Sequence, residues 1–339
     1  MIEWLKELSA IPGVSGDEGR VRSWLEKQAD GYASCHTDAL GNLLVEKKGA
    51  ARPKRKLLFC TQMDEAGLVI RDADEEGNLR FECAGALHAS ILAGKTVRIG
   101  ENGIAGVVGV KPIHLLEGEE RERYPKLENL VIDIGAQNRE QACSQVKPGD
   151  RAVLEGGFMP FGDGLFRGRA LDARAGCALF LSLIRDTLPY DCTFAFTVLG
   201  ESGGIGAQTA AYACAPEITL LAGVAAAGDF PGVSGKERAC ALGEGPVVPL
   251  QEKRVLYPSA LTGEAIETAR ALDIPLQLKE SHLSSALPGA VQSAGIGSGI
   301  LSVLVPCRYA HTPLPLLDGK DLASAVRLLL ALLERLAKG

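Results

Sequence analysis

The sequence predicts an α/β protein in which a small all-β domain interrupts a sheet covered by helices on both faces. The chain has 339 residues, which suggests two domains. Both its beginning and its second half alternate helical and strand patterns, which is typical of a largely parallel sheet. Between about 68 and 160, short strands of alternating polarity follow one another instead.

The N-terminal segment supplies the first helices and strands of the α/β part. Residues 2–9 and 17–30 show helical periodicity, and the turn Pro12–Gly16 separates them. Leu43–Glu46 is a short apolar strand. The run Lys56–Thr61 is compact and apolar, as expected of a strand that is buried on both faces.

The inserted domain is predicted from short strands separated by glycine-rich or charged turns. These strands are expected over Leu68–Arg71, Leu79–Glu82, Thr96–Ile99, Ile104–Val110, Leu130–Ile134 and Arg151–Leu154. The charged segment Glu117–Arg123 is expected to form a solvated loop or a short helix. We therefore predict one domain over 1–67 and 162–339, and an inserted β domain over 68–161.

The C-terminal half returns to longer elements. Helices are predicted over 174–186 and 206–213, followed by an amphipathic closing helix over 319–337. Apolar strands are predicted over 192–199, 218–224 and 300–305.

Composition excludes several classes of partner. The net charge of -6 argues against a nucleic-acid partner, which requires a basic face. Nine cysteines occur without a Cys-x-x-Cys pair, which indicates free thiols in a reducing compartment. No stretch reaches the roughly 20 apolar residues of a membrane span, and the N-terminal segment does not resemble a signal peptide. We therefore expect a cytoplasmic protein with no membrane partner.

Polar residues cluster where predicted strands end or helices begin, which is where α/β sheets bind ligands. The segments are Gln62–Glu65, Leu171–Arg174, Gly200–Gly204 and Arg308–His311. Asp, Glu and His side chains that converge from separate strand ends form the ligand set of a zinc-type site. Each residue alone also fits a structural role, with Asp172 as a helix N-cap, Glu201 as a loop acid and His311 as a surface histidine.

An ordered series of motifs runs nearly from end to end of the chain. They are IPGVSGDEGRVRSWL at 11–25, DALGNLL at 38–44, MDEAGLVI at 63–70, KPIHLLEGEER at 111–121, IDIGA at 132–136, KPGD at 147–150, GRALDARAGCAL at 168–179, GIGAQTAAY at 204–212, AGDFPG at 227–232 and VPCRYAHTP at 305–313. In these motifs the chain resembles the glutamyl aminopeptidase and tetrahedral aminopeptidase family, peptidase family M42, whose members are co-catalytic metallopeptidases.

The resemblance implies a fold and an assembly. The fold is a three-layer, mixed-sheet aminopeptidase domain of the phosphorylase/hydrolase type, with an inserted small β-barrel that serves for dimerisation and as a lid. The assembly is a homo-oligomer, from a dimer to a tetrahedral dodecamer, and the expected ligand is a peptide or a small amide.

The resemblance also implies a metal site. Asp172 matches the aspartate that bridges two metal ions in the family, and Glu201 and His311 match the other ligands of one ion. The second ion would require a histidine where Gln62 stands and an aspartate where Gly223 stands. We therefore expect one divalent ion per chain, zinc first and cobalt or manganese as alternatives, and no second metal.

The matching positions imply weak chemistry. Asp64 persists as a supporting residue, but the position of the general base is Gly200. The family's Gly-Thr-Asp run is Ser285–Leu287 here, without a carboxylate. A general base typically contributes about 10²–10⁴-fold in rate, so conventional aminopeptidase activity is expected to be weak or lost.

Three alternatives remain open on the sequence. The chain is an impaired aminopeptidase or a purely structural subunit, or it is an active one-metal hydrolase that uses a substitute base such as Glu65. The third alternative is an endoglucanase-like enzyme. It has little support, because glycosidases need a suitably spaced carboxylate pair and aromatic residues make up only 5% of the chain.

Overall fold

The computed structural model describes residues 1–118, 123–235, 238–252, 255–280 and 286–339. Most of the predicted loop or helix at Glu117–Arg123, namely 119–122, therefore lies outside the described residues, as does Ser285 of the Ser285–Leu287 segment.

The strands of the described chain are as follows: β1 (Ser34–Thr37), β2 (Leu43–Lys47), β3 (Leu57–Gln62), β4 (Gly67–Ala73), β5 (Leu79–Ala84), β6 (Thr96–Ile99), β7 (Ile104–Gly109), β8 (Val131–Asp133), β9 (Arg151–Leu154), β10 (Met159–Phe161), β11 (Leu165–Arg167), β12 (Cys192–Thr197), β13 (Ile218–Ala226), β14 (Val247–Glu252), β15 (Val255–Leu256), β16 (Gln277–Glu280), β17 (Gly299–Cys307) and β18 (Leu316–Asp318).

The α-helices of the described chain are as follows: α1 (Ile2–Ala10), α2 (Gly19–Ala29), α3 (Ala89–Leu92), α4 (Arg139–Gln145), α5 (Leu171–Ile184), α6 (Ile205–Cys214), α7 (Ser259–Ala271), α8 (Leu287–Gln292) and α9 (Gly319–Ala337). In the described chain, no helix is both long enough and apolar enough to cross a lipid bilayer.

The main sheet has the strand order β1-β2-β12-β3-β13-β17-β14-β15, and β16 pairs with β14. The central strands β12, β3, β13 and β17 run parallel. The flanking strands β2 and β14 pair antiparallel with β12 and β17. The sheet is therefore mixed. Buried apolar runs such as Leu57–Thr61 form its centre, because both faces of these strands are covered.

Helices cover both faces of the main sheet. On one face, α1, α2 and α9 pack around α5 and α7 packs against α9, and the apolar residues of these helices join the largest core. Nearly all of α5 is buried, as expected of a helix that is apolar on all sides. On the other face, α6 and α8 pack on each other and form a second core with the sheet. This three-layer arrangement confirms the predicted α/β class.

A closed barrel interrupts the α/β part between β3 and β10. Its strand order is β4-β5-β8-β7-β6-β9, and its interior is a separate apolar core. Alternate residues of these strands are buried, which is the pattern that predicted them. Closure leaves the strands without free edges. Strands β10 and β11 follow the barrel in the sequence and form a small sheet with β18. The chain continues from β11 directly into α5.

Sequence patterns predicted no element between 225 and 299, yet the described chain contains β14, β15, α7, β16 and α8 there. The strands β14 and β16 contain Gln, Glu, Lys or Pro and β15 has only two residues, so all three lack the apolar runs of the central strands. Their position beside β17 depends on contacts that are distant in sequence.

We expect Gly176→Ala to destabilise the protein, because α5 lies unusually close to the sheet at this residue. An added Cβ would lie 2.1 Å from Thr61 Oγ1 and 2.8 Å from the carbonyl oxygen of Ala222. Overpacking of this kind typically costs about 1–3 kcal/mol. Urea unfolding followed by circular dichroism measures the loss.

Gly263→Ala in α7 is the matched control. No neighbouring atom lies within 4 Å of a Cβ added there, so the substitution should stabilise the helix by about 0.5–1 kcal/mol. If the two variants had the same stability, the close contact of α5 with β3 and β13 would be wrong.

Candidate functional site

A cavity of about 480 Å³ opens where the central parallel strands end. Its lining contains most of the positions that the sequence singled out, namely Gln62, Asp172, Gly200, Glu201, Gly223 and His311. Gln62 ends β3, and Gly223 pairs with Leu304 on β17. The structure therefore brings together side chains from three strand ends, those of β3, β12 and β17, and from the first turn of α5. Asp64 and Glu65 do not line this cavity.

Asp172 lies in the first turn of α5. The left-handed conformation of Ala170 (φ 56°) turns the chain into the helix, and Ala170 rather than Asp172 occupies the N-cap position. Asp172 Oδ1 accepts a hydrogen bond from Ala173 N at 3.0 Å, and Oδ2 accepts one from His311 N at 2.7 Å. Burial raises the pKa of Asp172, and the hydrogen bond and charge of His311 oppose this shift.

His311 lies in the loop between β17 and β18. Backbone hydrogen bonds between Arg308 and Leu316, at 3.1 and 3.0 Å, close this loop. Tyr309 and His311 both have positive φ angles, 59° and 58°, a conformation that is uncommon for residues other than glycine. Thr312 Oγ1 donates to the Tyr309 carbonyl oxygen at 2.6 Å. The exposed imidazole is therefore carried by a short loop whose backbone is well defined.

Glu201 is bound by the glutamine that replaces the expected histidine. Gln62 Nε2 donates to Glu201 Oε1 at 3.0 Å. Burial raises the pKa of Glu201, and both His311 and the hydrogen bond from Gln62 act in the opposite direction. The barrel domain also approaches this carboxylate, since a Cβ added at Gly85 would lie 2.6 Å from Glu201 Oε2.

Asp64 positions the turn that carries Glu201. Its carboxylate is fully buried and accepts hydrogen bonds from Gly200 N at 2.8 Å and Glu201 N at 2.9 Å. Burial raises the pKa of Asp64, and these two backbone donors oppose the shift. Both carboxylate oxygens of Asp64 therefore accept hydrogen bonds that fix the backbone of Gly200 and Glu201.

The two glycines of the cavity differ in the space around them. A Cβ added at Gly200 would lie 2.6 Å from Gln62 Oε1 and 2.7 Å from Asp64 Oδ1. At Gly223 the nearest atom to an added Cβ is Leu304 Cδ2, at 3.8 Å. A side chain therefore fits at Gly223, whereas one at Gly200 requires both Gln62 and Asp64 to move.

Glu65 is the centre of a buried ion-pair cluster. Arg169 and Arg174 both form salt bridges with its carboxylate, the latter at 2.9 Å, and Gly13 N donates to Oε1 at 3.0 Å. Glu65 is only 5% exposed. These contacts favour a structural role over that of a substitute base.

The donor set fits a divalent ion, but its side chains are not assembled into a cluster. Two carboxylates and one imidazole from Asp172, Glu201 and His311 suit a zinc-type ion. Within the described residues, however, no three His, Cys, Asp or Glu side chains converge closely enough to hold an ion as they stand. Asp172 is bound by two N–H groups and Glu201 by Gln62. An ion at this site would therefore require the three side chains to lie closer together.

Sequence analysis missed a second group of polar residues in the cavity. Glu252, Lys279 and Ser302 line it, and the two charged residues are buried. The hydroxyl of Tyr257 donates to Glu252 Oε2 at 2.9 Å and shares a hydrogen bond of 2.8 Å with Ser302 Oγ. Burial raises the pKa of Glu252, although Tyr257 and Lys279 oppose the shift. Charged residues within strands would have been the signal, but no strand was predicted there.

Comparisons with known proteins agree on one family. The family model described as M42 glutamyl aminopeptidase matches residues 41–328. A putative aminopeptidase of Acetivibrio thermocellus is 33% identical over 334 residues, covering 97% of each chain.

Solved structures give the same result. The TET aminopeptidase of a marine sediment archaeon of the Thaumarchaeota superposes with a TM-score of 0.94 at 30% identity, covering 99% of this chain and 96% of that one. The TET1 peptidase of Pyrococcus horikoshii, which is described as assembling into a tetrahedron or a large octahedral shell, has a TM-score of 0.86 at 32% identity, covering 98% of each chain.

We expect Glu65→Gln to destabilise the protein strongly, because Arg169 and Arg174 would lose their carboxylate partner inside the protein. Removing one partner of a buried ion pair typically costs about 3–5 kcal/mol. Urea unfolding measures the change.

Glu82→Gln is the control, because Glu82 forms a 2.6 Å salt bridge with Arg71 on the barrel surface, where both side chains are 64% exposed. Exposed pairs contribute little to stability. A Glu65 variant as stable as the Glu82 variant would contradict the role of the buried cluster.

Proposed function

The chain belongs to the M42 glutamyl aminopeptidase family, and on this premise we propose that it binds one divalent metal ion and hydrolyses peptide N-termini weakly or not at all. The observation that carries the proposal is the lining of one cavity. Asp172, Glu201 and His311 stand together there, while Gln62 and two glycines occupy the other positions that the chemistry requires.

One metal ion is proposed because the chain retains residues that match the family's ligands of one ion but not those of the other. Asp172, Glu201 and His311 would hold it, with zinc as the first candidate and cobalt or manganese as alternatives. When bound, such an ion polarises a carbonyl group and lowers the pKa of water. A second ion is not expected, because the Gln62 amide is a poor ligand already bonded to Glu201 and Gly223 offers no donor.

Weak activity is proposed because no free carboxylate stands at the position of the general base. Gly200 has no side chain, and the space beside it is filled by Gln62 and Asp64. Asp64 is bonded to two backbone N–H groups, and Glu65 is bonded to two arginines. A peptide or a small amide could still bind, because the cavity is open and contains the proposed metal-ligand residues.

An active one-metal amide hydrolase is the second candidate, and Glu252 is the observation that favours it. Glu252 lines the same cavity and its pKa is raised by burial. A carboxyl group with a raised pKa is better suited to proton transfer near neutral pH than an ordinary one. In this candidate Glu252, rather than Glu65, is the substitute base.

We further propose a homo-oligomer in the cytoplasm. The TET1 peptidase similar to this chain assembles into closed shells, and symmetric assembly is common among soluble proteins. The proposed assembly domain is the insert over 68–161, with 1–67 and 162–339 forming the metallopeptidase-like domain. The free cysteines of the chain support a reducing compartment.

We expect at most one tightly bound divalent ion per chain and none in the Asp172→Ala variant. The substitution removes one of two carboxylates from a three-ligand set, so too few donors remain. Elemental analysis after dialysis against zinc measures the stoichiometry. Asp163→Ala, in an exposed turn between two glycines, is the control that should keep the ion. Two ions per chain would contradict the proposal.

We expect little or no cleavage of aminoacyl-arylamides by the unmodified protein with zinc, cobalt or manganese. The triple variant Gln62→His, Gly200→Glu, Gly223→Asp should gain a metal ion and measurable activity, because the three residues act as a unit. Gly200→Glu alone should melt at a lower temperature and gain no activity, because the new side chain would collide with Gln62.

Robust, chelator-sensitive cleavage by the unmodified protein would overturn this proposal and favour the one-metal hydrolase. In that event Glu252→Gln should remove the activity, whereas Glu65→Gln should reduce it only as far as it unfolds the protein.

A further inference from the structure

The His311 loop borders a second cavity that the proposed chemistry does not use. Ala310 and His311 line the cavity described above, whereas Tyr309 and Thr312–Leu314 of the same loop line another of about 430 Å³. The loop therefore separates two concave sites. The second has the size of pockets that bind small organic molecules.

The walls of this second cavity are mainly apolar and come from three parts of the fold. The barrel contributes Ile91 of α3, the small sheet contributes Phe161 and Leu316, and the loop contributes Pro313 and Leu314. Phe161 is half-exposed although it is a large aromatic residue. An apolar group of a ligand would cover this surface and be removed from water, which is favourable in proportion to the area buried.

Two cations face the same cavity. Arg167 and Lys95 both line it. Arg167 pairs with Met159 on β10 and with Leu316 on β18. Side chains of paired and alternate residues share one face of a sheet, so this register places the guanidinium on the same face as the Phe161 ring. The arginine side chain therefore stands beside the apolar wall.

In the described part of the chain, no acidic side chain pairs with the two cations of this cavity. Within the described residues, no carboxylate lies within salt-bridge distance of either Arg167 or Lys95. Arg167 Nε is also buried without a hydrogen-bond partner. Leaving a buried donor without an acceptor is unfavourable, so a ligand that supplies an acceptor to Arg167 Nε would bind more tightly.

We propose that the second cavity binds a carboxylate that carries one apolar group, of the size of an N-blocked amino acid or of the last residue of a peptide. The carboxylate accepts hydrogen bonds from the Arg167 guanidinium, whose planar fork matches it. Lys95 adds a positive charge from the exposed rim, and the apolar group lies against Phe161, Leu314 and Leu316. This site depends on neither the metal ion nor hydrolysis.

Isothermal titration calorimetry on the full chain in the presence of EDTA tests the proposal. The probes are N-acetyl-phenylalanine, for a free acid, and N-acetyl-Ala-Ala-Phe, for a peptide C-terminus. Neither has a free amino group, and EDTA removes metal, so the first cavity does not act on them as substrates. We expect saturable binding of at least one acid, and binding at least tenfold weaker for its C-terminal amide.

Variants localise the binding. Arg167→Gln should weaken binding of the acid about tenfold or more, because a charge-assisted hydrogen bond is lost. Lys95→Gln should weaken it only a few-fold, because exposed ion pairs are weak. Arg71→Gln, on the barrel surface and outside the cavity, is the matched control and should leave the affinity unchanged. Circular dichroism melting checks that each variant is folded.

Three results would overturn the proposal. They are no binding of either acid at millimolar concentration, equal affinity of an acid and its amide, and unchanged affinity in a folded Arg167→Gln variant. The proposed function could fail, for instance through robust peptidase activity, without affecting any of these measurements.

Discussion

The buried carboxylate of Glu65 is the interaction on which the candidate site depends. It joins the turn at Gly13 to Arg169 and to Arg174, the latter inside α5. Arg174 also donates to the carbonyl oxygen of Met63, next to the end of β3. Buried charges are tolerated only when they are paired, and the two ion pairs with Glu65 therefore hold these segments in one arrangement. In the sequence, Asp172 lies between these two arginines, in the first turn of the helix that Arg174 joins to Glu65.

The last residue of β3 and the residues directly after it bind the two segments that carry Asp172 and Glu201. Glu65 binds the start of α5, Asp64 binds the backbone of Gly200 and Glu201, and Gln62 binds the Glu201 side chain. The departures from the family pattern are therefore coupled in space. Because Gln62 and Asp64 fill the space beside Gly200, a base can be restored at Gly200 only if both neighbours shift.

The sequence predicted the fold best where one local pattern was sufficient. The apolar run of β3 and the amphipathic stripe of α9 both match the structure. The position of their segments at a strand end and a helix start grouped Asp172 with His311, and the resemblance supplied their roles as metal ligands. The resemblance did not predict that Gln62 binds Glu201, or that Arg169 and Arg174, more than a hundred residues from Glu65, occupy its carboxylate. Burial of Glu252 also depends on tertiary contacts with Tyr257, which no local pattern contains.

The loop between β17 and β18 links the two cavities mechanically. Arg308 anchors its beginning through two hydrogen bonds to Asp229, at 2.7 and 2.6 Å, and pairs with Leu316 at its end. Tyr309 and His311 adopt positive φ within this closed segment. Tyr309 and Thr312 line the second cavity, whereas Ala310 and His311 line the first. A short loop with both ends fixed has few alternative conformations. Thr312 is one residue from His311 and Tyr309 is two residues from it, and the His311 N–H group donates to Asp172. Residues that line the second cavity are therefore joined through a short backbone segment to a hydrogen bond of the first.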